Sequence, residues 1–230
     1  MGKSISIIIP VWNEISLIEH SLRHVLSHTY DGAFEVIVVD GSPEGETLRS
    51  IGGEKVRKFT AERGRGRQMN EGARHAEGEI LLFLHADTSL PVNGLRHISA
   101  AMENKDVVGG AFDLGIDSER PLFRAIETLA SLRSRITKIP YGDQAIFIRT
   151  DYFRAAGGFR EIPLMEDVEL MRRIRKAGDR IEIVGQKVRT SSRRWEKEGI
   201  LYCTVRNWTL ISLYFLGVSP EQLARFYPSR

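Results

Sequence analysis

Short apolar, β-branched runs alternate with amphipathic segments, and this alternation constrains the fold more than any other feature. The runs SISIIIP at 4–10, FEVIVVD at 34–40 and ILLFL at 80–84 have the length of single strands. Such continuous runs are typical of strands that are buried on both faces of a parallel sheet. The segments at 15–27, 44–51 and 68–75 have helical patterns. The repetition therefore predicts right-handed crossovers and an α/β layered sheet.

The second half of the chain is less regular. Strands are predicted at 107–114, 144–149 and 180–184, and helices at 121–136 and 167–176, the latter ended by Gly178. In the 121–136 segment the apolar residues, from Leu122 to Ile136, lie along one side of the predicted helix. Because no internal repeat or low-complexity linker is present, we predict one domain at 1–194 followed by a helical tail at 195–230.

The tail is strongly apolar between residues 200 and 218. Arg206 and Asn207 lie near its middle, which argues against a simple membrane span. Three alternatives remain for this stretch: packing on the domain, a homodimer contact, or a peripheral contact with a membrane.

Charge and cysteine content restrict the partners and the compartment. The chain has 33 Lys and Arg against 30 Asp and Glu, a formal net charge of +3, so we expect no nucleic-acid partner. Its single cysteine, Cys203, excludes an internal disulfide framework and suits a reducing compartment. The chain is therefore predicted to be cytoplasmic, with the inner face of the membrane as the alternative site if the tail makes a lipid contact.

Polar residues follow three of the predicted strands. Pro10, Asp40 and the pair His85 and Asp87 come at strand ends, and ligands of open α/β sheets bind at the carboxyl ends of the strands. In a strand, residues i and i+2 point to the same side, so His85 and Asp87 can face one point just past the strand end. An imidazole with a carboxylate suits Mn²⁺ better than Mg²⁺, which prefers oxygen ligands. The alternative is an Asp that caps a turn and a His satisfied by backbone.

Two further segments carry charged residues that could bind an anion or act in catalysis. ERGRGR places Arg63, Arg65 and Arg67 on a predicted loop before a helix, where anions are favoured. An exposed basic loop is the alternative. The ERGRGR motif occurs once and has no interleaved aromatic residues, which argues against RNA binding. Glu166 and Asp167 open the predicted helix at 167–176, so they could cap it, act as a general base, or both.

The ordered set IIIPVWNE, VIVVDGS, RGRQMNEGARHAEGEILLFLHADT, GGF and MEDVEL resembles the family 2 glycosyltransferases, which have the GT-A fold, a Rossmann-related, mostly parallel sheet. The resemblance covers residues 5–194. GRGRQMNEGA, HADT, YGDQAIF and SRRWEKEG are similar to a bacterial subgroup of small glycosyltransferases with a His-Ala-Asp metal motif. Most of the superfamily has Asp-x-Asp there, so His85 replaces the first Asp.

The resemblance implies transfer of a sugar from a nucleotide-diphosphate sugar to a hydroxyl acceptor, which a lipid could carry. It also implies inversion and a divalent metal, Mn²⁺ or Mg²⁺. The implied metal ligands are Asp87 and His85, and the implied base is Asp167, beside Glu166. The implied donor-binding residues are Pro10, Val11, Glu14, Asp40, Arg63, Arg67, Asn70 and Asp87. Residues implied near acceptor or diphosphate are Asp143, Gln144, Arg194 and Trp195, although Ser191 stands where the related QxxRW element has Gln.

Two other functions remain open at this point. A nucleotidyltransferase that makes an activated sugar also needs metal and nucleotide, but IIIPVWNE lacks the Gly-rich loop with Lys that such enzymes usually have. An inactive sugar-nucleotide-binding protein is the other alternative, and the presence of both Asp87 and Asp167 argues against it.

Overall fold

The structure is a computed structural model that describes residues 2–53 and 55–227. The strands are β1 Ile5–Val11, β2 Phe34–Asp40, β3 Val56–Thr60, β4 Ile80–Phe83, β5 Thr88–Ser89, β6 Val107–Asp113, β7 Ile116–Asp117, β8 Phe147–Arg149, β9 Arg180–Lys187 and β10 Arg189–Ser191. The helices are α1 Ile15–Leu26, α2 Glu46–Ser50, α3 Arg65–His75, α4 Gly94–Ala101, α5 Pro121–Thr137, α6 Thr150–Ala155, α7 Glu166–Ala177, α8 Arg193–Glu198, α9 Ile200–Phe215 and α10 Pro220–Ala224.

Seven strands form the main sheet, in the order β3-β2-β1-β4-β8-β6-β9. β8 runs antiparallel to both of its neighbours, and the other neighbouring strands pair in parallel. The predicted mostly parallel α/β sheet flanked by helices is therefore confirmed. Ile5 pairs with Phe34 on one side and with Ile80 on the other. The carboxyl ends of β1, β2 and β4 consequently lie at one edge, as expected from the sequence.

Both faces of the sheet are covered, which explains why its strands are apolar without alternation. In β1, Ile7 belongs to the core cluster that contains Ile18 of α1. Its neighbour Ile8 points to the opposite cluster, which contains Met69 of α3 and Val168 of α7. A polar side chain on either face would have no water to contact, so apolar residues predominate on both faces.

A second, three-stranded sheet in the order β5-β10-β7 lies beside the carboxyl edge of the main sheet. β10 pairs antiparallel with β5 and parallel with β7. The backbone N–H of Ser191 donates to the carbonyl of Asp87 at 3.0 Å. This small sheet brings the segment after β4 next to the segment that leads into α8.

Some boundaries differ from the prediction. α3 begins at Arg65, so Arg65 and Arg67 lie in the first turn of a helix and not on a loop. β8 begins at Phe147, because Gly142–Gln144 forms a 3₁₀ turn. β4 ends at Phe83, and His85 and Asp87 lie in a turn closed by the Thr88 N–H donating to the His85 carbonyl. The turn, not strand alternation, sets their relative orientation.

The predicted apolar side of α5 is largely exposed and does not face the core. Phe123 is fully buried, but Leu122, Leu129, Leu132 and Ile136 are 43%, 49%, 51% and 71% exposed. The helix instead buries polar groups, because the strand ends beneath it present backbone donors. Ser131 Oγ accepts from the Leu114 N–H at 3.1 Å, and Glu127 Oε1 accepts from the Ile116 N–H at 2.8 Å.

The C-terminal segment contains α8, α9 and α10. The predicted boundary between residues 194 and 195 falls inside α8. Leu210 of α9 and Leu223 of α10 belong to the core cluster on the α3 and α7 side of the sheet, and Cys203 is fully buried. None of the helices within 2–53 and 55–227 has the length and apolar content needed to cross a membrane. Residues 228–230 of the predicted tail lie outside the described residues.

Candidate active site

Two adjoining cavities lie at the carboxyl edge of β1 and β4. The first, of about 160 Å³ and here called the acidic cavity, is lined by His85, Asp87, Asp143, Glu166 and Asp167 among others. The second, of about 440 Å³ and here called the β1 cleft, is lined by Pro10, Val11, Trp12, Glu14, Arg63, Gly64, Arg65, Gln68, Pro163, Leu164, Glu166, Ala224 and Tyr227. Arg65, Leu164, Glu166 and Tyr227 line both. The shared wall places a basic and an acidic side chain between the two spaces.

Asp167 is oriented by backbone donors on two elements. The Gly142 N–H donates to its Oδ2 at 2.5 Å, and the Val168 N–H donates to its Oδ1 at 2.7 Å. Glycine at 142 favours this contact, since an added Cβ would lie 3.0 Å from His85 Nε2 and 3.3 Å from Asp167 Oδ2 and would crowd both side chains. The close approach of these three residues joins the turn after β4, the 3₁₀ turn and the start of α7.

The turn that carries Gly142 is held from below by Arg133 and Gln144. Gln144 is fully buried, and its Oε1 accepts from Ser134 Oγ at 2.7 Å and from the Tyr141 N–H at 3.1 Å. The guanidinium of Arg133 lies 3.3 Å from the centroid of the Tyr141 ring and donates to Gln144 Oε1 at 3.3 Å. Gln144 therefore supports the cavity from behind and does not line it.

Burial shifts the protonation of two acids in the cavity. Burial, together with the charge of Asp167, raises the pKa of Glu166 to about 7, and Arg65 at 3.8 Å opposes the shift. Burial likewise raises the pKa of Asp143 to about 6, with Arg133 opposing and Asp167 and Asp87 adding to the shift. Carboxyl groups with pKa values near neutrality in a cavity are typical of acid–base sites.

Neither Glu166 nor Asp167 is the N-cap residue of α7. The residue before the helix is Met165, which has a left-handed backbone with φ of 69°, and no side chain caps the helix start. Both acids lie in the first turn, where the helix dipole favours negative charge. A non-glycine residue at positive φ costs conformational energy, and such residues are enriched at functional sites. This backbone turn aims both acids into the cavity.

Aromatic and basic residues line the β1 cleft and the far wall of the acidic cavity. The guanidinium of Arg63 lies 4.4 Å from the centroid of the Trp12 ring. Arg194 and Trp195 line the acidic cavity, and the Arg194 guanidinium lies 4.8 Å from the Tyr227 ring. Gln68 Nε2 donates to the Val11 carbonyl at 2.6 Å, which fixes the floor of the cleft at the end of β1.

Three of the predicted donor-binding residues do not line either cavity. Asp40 is fully buried at the end of β2, where its Oδ1 accepts from the Ser42 N–H at 2.8 Å. Among the described residues, Asp40 Oδ2 has no hydrogen-bond partner. Arg67 pairs with Glu62 and with Glu161. Asn70 is engaged by the backbone of Phe159 through both of its amide atoms, at 2.9 Å each.

The sequence reasoning missed several residues that shape the site. Tyr141, Met165 and Tyr227 line the acidic cavity, and Arg133 supports it. The motif YGDQ contained the signal for Tyr141. Nothing in the sequence signalled Tyr227, because it reaches the cavity only through the packing of the C-terminal segment.

The side chains of the acidic cavity offer few ligands to a divalent metal. In the described part of the chain, no group of three or more His, Cys, Asp or Glu side chains is arranged to hold a metal ion. His85 and Asp87 line the same cavity, however, and Mg²⁺ in nucleotide sites is commonly held by one or two carboxylates together with substrate phosphates. The residues present therefore fit a metal that shares its coordination with a bound diphosphate.

The mostly parallel sheet with one antiparallel strand, and the acidic cavity at its carboxyl edge, define an α/β protein of the GT-A type. The family model "Glycosyl transferase family 2" matches residues 6–162, and the chain belongs to this family. Similar curated proteins include uncharacterized glycosyltransferases of Rickettsia felis and Rickettsia conorii, 28% and 30% identical over 183 residues. These matches cover 72% of this chain but only 30% of each relative, so the chain spans about a third of their length.

Solved structures share the fold at low sequence identity. A mannosyltransferase from Pyrobaculum calidifontis in complex with GDP-Man and Mn²⁺ aligns with a TM-score of 0.61 at 23% identity, covering 82% of this chain and 57% of that one. The Staphylococcus aureus protein TarS aligns with a TM-score of 0.64 at 18% identity, covering 96% and 68%. TarS has also been solved with UDP-GlcNAc. These similarities confirm the predicted GT-A-like fold.

Proposed function

We propose that this chain transfers a sugar from a nucleotide-diphosphate sugar to a hydroxyl acceptor, with inversion at the anomeric carbon. The observation that carries the proposal is the wall shared by the two cavities, in which Arg65 and Glu166 separate the β1 cleft from the oriented Asp167. Family membership supports it, and so do the nucleotide sugars GDP-Man and UDP-GlcNAc bound in the two solved structures of similar fold. We also propose a cytoplasmic location, supported by the single buried cysteine.

The donor is proposed to lie along the β1 cleft. Pro10, Val11 and Glu14 would contact the nucleoside, and Arg63 with Trp12 offers a flat, cationic surface to a base. Asp40 would use its unpartnered Oδ2 if the nucleoside reaches the end of β2. For the diphosphate we favour Arg65 over Arg67, because Arg65 lines both cavities while Arg67 is paired with two glutamates.

A metal is proposed for the leaving-group side of the acidic cavity. Asp87 and His85 would hold it, and Asn70 would act only by positioning α3, since its amide is engaged by Phe159. When bound, Mn²⁺ or Mg²⁺ supplies charge neutralisation for the diphosphate. Arg65 adds a guanidinium at the same place.

The base is proposed to be Asp167, as the family resemblance implies. Its carboxylate would take the proton of the acceptor hydroxyl while the hydroxyl oxygen forms a bond to the anomeric carbon. The bond from that carbon to the diphosphate oxygen breaks on the opposite face, and the electron pair leaves with the diphosphate. Asp143, Arg194 and Trp195 line the same cavity and are proposed to contact the acceptor.

Calorimetry with a panel of nucleoside diphosphates, with and without Mn²⁺, identifies the donor class. Release of nucleoside diphosphate from the matching sugar nucleotide, dependent on acceptor, then tests transfer. In Asp167→Asn we expect donor affinity to hold and turnover to fall by about 10²–10⁴, the usual contribution of a general base. Near wild-type turnover at saturating substrates would exclude Asp167 as the base. Pyrophosphate formed from a sugar phosphate and a nucleoside triphosphate would instead support a nucleotidyltransferase, and binding without turnover would support an inactive binding protein.

A further inference from the structure

Large exposed apolar side chains are concentrated in two parts of this molecule. Within residues 2–53 and 55–227, all large exposed apolar side chains except Ile15 and Val92 lie on α5 or in the C-terminal segment. These are Leu122, Leu129, Leu132 and Ile136 on α5, and Leu201, Tyr202, Val205, Trp208, Phe215, Leu216 and Phe226 in the C-terminal segment. Single exposed apolar residues are ordinary, but a contiguous set marks a surface that contacts an apolar partner.

α9 has two distinct faces. Its inner face carries Cys203 and Leu210, which are buried, and Leu210 also lines the acidic cavity. Its outer face carries Leu201, Val205 and Trp208, which are 69%, 61% and 52% exposed. Residues spaced by four and three positions lie on one side of a helix. The outer residues of α9 and the four exposed residues of α5 are together called the apolar face.

The α5 and α9 parts of the apolar face meet through a shared small core. Phe123 and Trp195 contact edge to face, with ring centroids 5.8 Å apart. Ile126 of α5 and Ile200 of α9 both pack against this core. Leu122 and Leu129 lie within one helical turn of Ile126, and Leu201 follows Ile200, so the exposed residues continue outward from a common contact.

Basic side chains outnumber acids around the α5 part of the apolar face. Residues 120–138 contain five basic residues and one acid, Glu127, which is fully buried and pairs with Arg124 and Lys187. Arg135 pairs with Asp113, while Arg120 and Lys138 at the two ends of α5 are exposed. Residues 199–220 contain a single charged residue, Arg206, which pairs with Glu198 and is 9% exposed, so α9 itself adds no free charge to the face. Exposed acids next to the two stretches lie beyond their ends, at Asp117, Glu119, Glu196 and Glu221. An apolar surface with a basic border is complementary to an anionic lipid surface.

We propose that the apolar face binds the surface of an anionic lipid bilayer, with α9 lying in the interface. A second copy of the chain is the weaker occupant, because a two-fold dimer would place the basic border of one copy against that of the other. α9 has 16 residues, too few to span the hydrocarbon core. Its tryptophan and Tyr202 are the residue types that favour the interface between headgroups and hydrocarbon.

This binding would place the active site at the membrane. The helix that meets the lipid on one side lines the acidic cavity on the other, through Asn207, Leu210 and Ile211. Membrane binding by the apolar face does not depend on the proposed sugar transfer, because the residues of the face take no part in the chemistry of the cavity.

Flotation of the whole chain with phosphatidylcholine vesicles, with and without phosphatidylglycerol, tests the proposal. We expect about tenfold or greater enrichment on the vesicles that contain phosphatidylglycerol, reduced by high salt. Val205→Glu and, separately, Leu132→Glu should each lower the enrichment about tenfold or more, since each puts a charge into the face. Ile15→Glu is the matched control, an exposed apolar residue on a different helix, and should leave binding unchanged.

A second readout reports the orientation of α9. Brominated lipids should quench part of the tryptophan fluorescence, and Trp208→Phe should remove that quenching while Trp12→Phe leaves it. Failure to float with either vesicle type overturns the proposal, and equal flotation with both overturns the role of anionic lipid. A concentration-dependent dimer in light scattering that Val205→Glu abolishes, without flotation, would assign the face to a second copy instead.

Discussion

Replacing Glu166 by Gln should stabilise the protein at neutral and alkaline pH. Glu166 is 4% exposed, and burial raises its pKa to about 7. Glutamine has nearly the same shape and cannot ionise. The variant therefore removes the cost of a buried charge while it keeps the packing between the two cavities.

The sign and size of the effect follow from linkage. The ordinary pKa of a glutamate carboxyl is 4.5, and that of Glu166 in the folded protein is about 7, so between these values the folded state holds a proton that the unfolded state releases. Stability is thus lost as pH rises from about 4.5 to about 7 and stays lost above that. A shift of about 2.5 units corresponds to about 3 kcal/mol. We expect Glu166→Gln to match wild type near pH 4 and to exceed it by about 1–3 kcal/mol at pH 8.

Urea unfolding of both proteins across this pH range measures the difference in their free energy of unfolding. Groups that titrate in both proteins, such as Asp143, cancel in this difference. Glu169→Gln is the matched control, because Glu169 is also buried on α7 but pairs with Arg160 at 3.0 Å and Arg173 at 2.9 Å. Its removal should destabilise the protein at pH 8, since the guanidinium groups lose their partner. A Glu166→Gln difference that is constant with pH, or that favours wild type at pH 8, would refute the reasoning.

Four further substitutions test the rest of the site. Asp87→Asn should abolish the Mn²⁺-dependent part of nucleotide binding measured by calorimetry, with His85→Ala weakening it less; unchanged metal dependence in Asp87→Asn would reject the metal assignment. Asp40→Asn should weaken nucleotide binding by about 1.5–3 kcal/mol with or without metal, the value of a charge-assisted hydrogen bond; affinity within about twofold of wild type would make Asp40 a turn residue only. Gly142→Ala should lower turnover about 10–100-fold with donor affinity kept, because the new Cβ displaces the carboxylate of Asp167 and a misplaced catalytic group loses rate steeply; steady-state kinetics with normal turnover would show that this contact is dispensable.

The sheet could be predicted from the sequence because its strands are buried on both faces. The run 34–40 has no polar residue between Glu35 and Asp40, and β2 spans Phe34–Asp40 as expected. The end of α7 was also predictable, since Gly178 adopts the left-handed conformation that terminates a helix, with φ of 81°.

The orientation of α5 could not be predicted from its pattern. Periodicity identifies an apolar side but does not say whether that side meets the core, and here backbone donors at Leu114 and Ile116 recruit Ser131 and Glu127 instead. An apolar periodicity is the same whether the apolar side meets the core or a partner outside the chain.

The candidate site was predictable only where its residues are close in sequence. His85 with Asp87, and Glu166 with Asp167, were found as short motifs and do line one cavity. Arg67 and Asn70 were expected at the donor by resemblance, but their partners, Glu161 and Phe159, are more than 80 residues away and follow from tertiary packing. No local signal reports such contacts.

The burial of Cys203 makes this chain convenient for site-specific labelling. It is the single cysteine of the sequence, it is fully buried on the inner face of α9, and burial raises the pKa of its thiol, which disfavours the reactive thiolate. A cysteine introduced at Val205 or Leu132 would consequently be the one accessible thiol within these 230 residues. Spin labels or fluorophores can then report depth and distance at either helix without first removing a native residue.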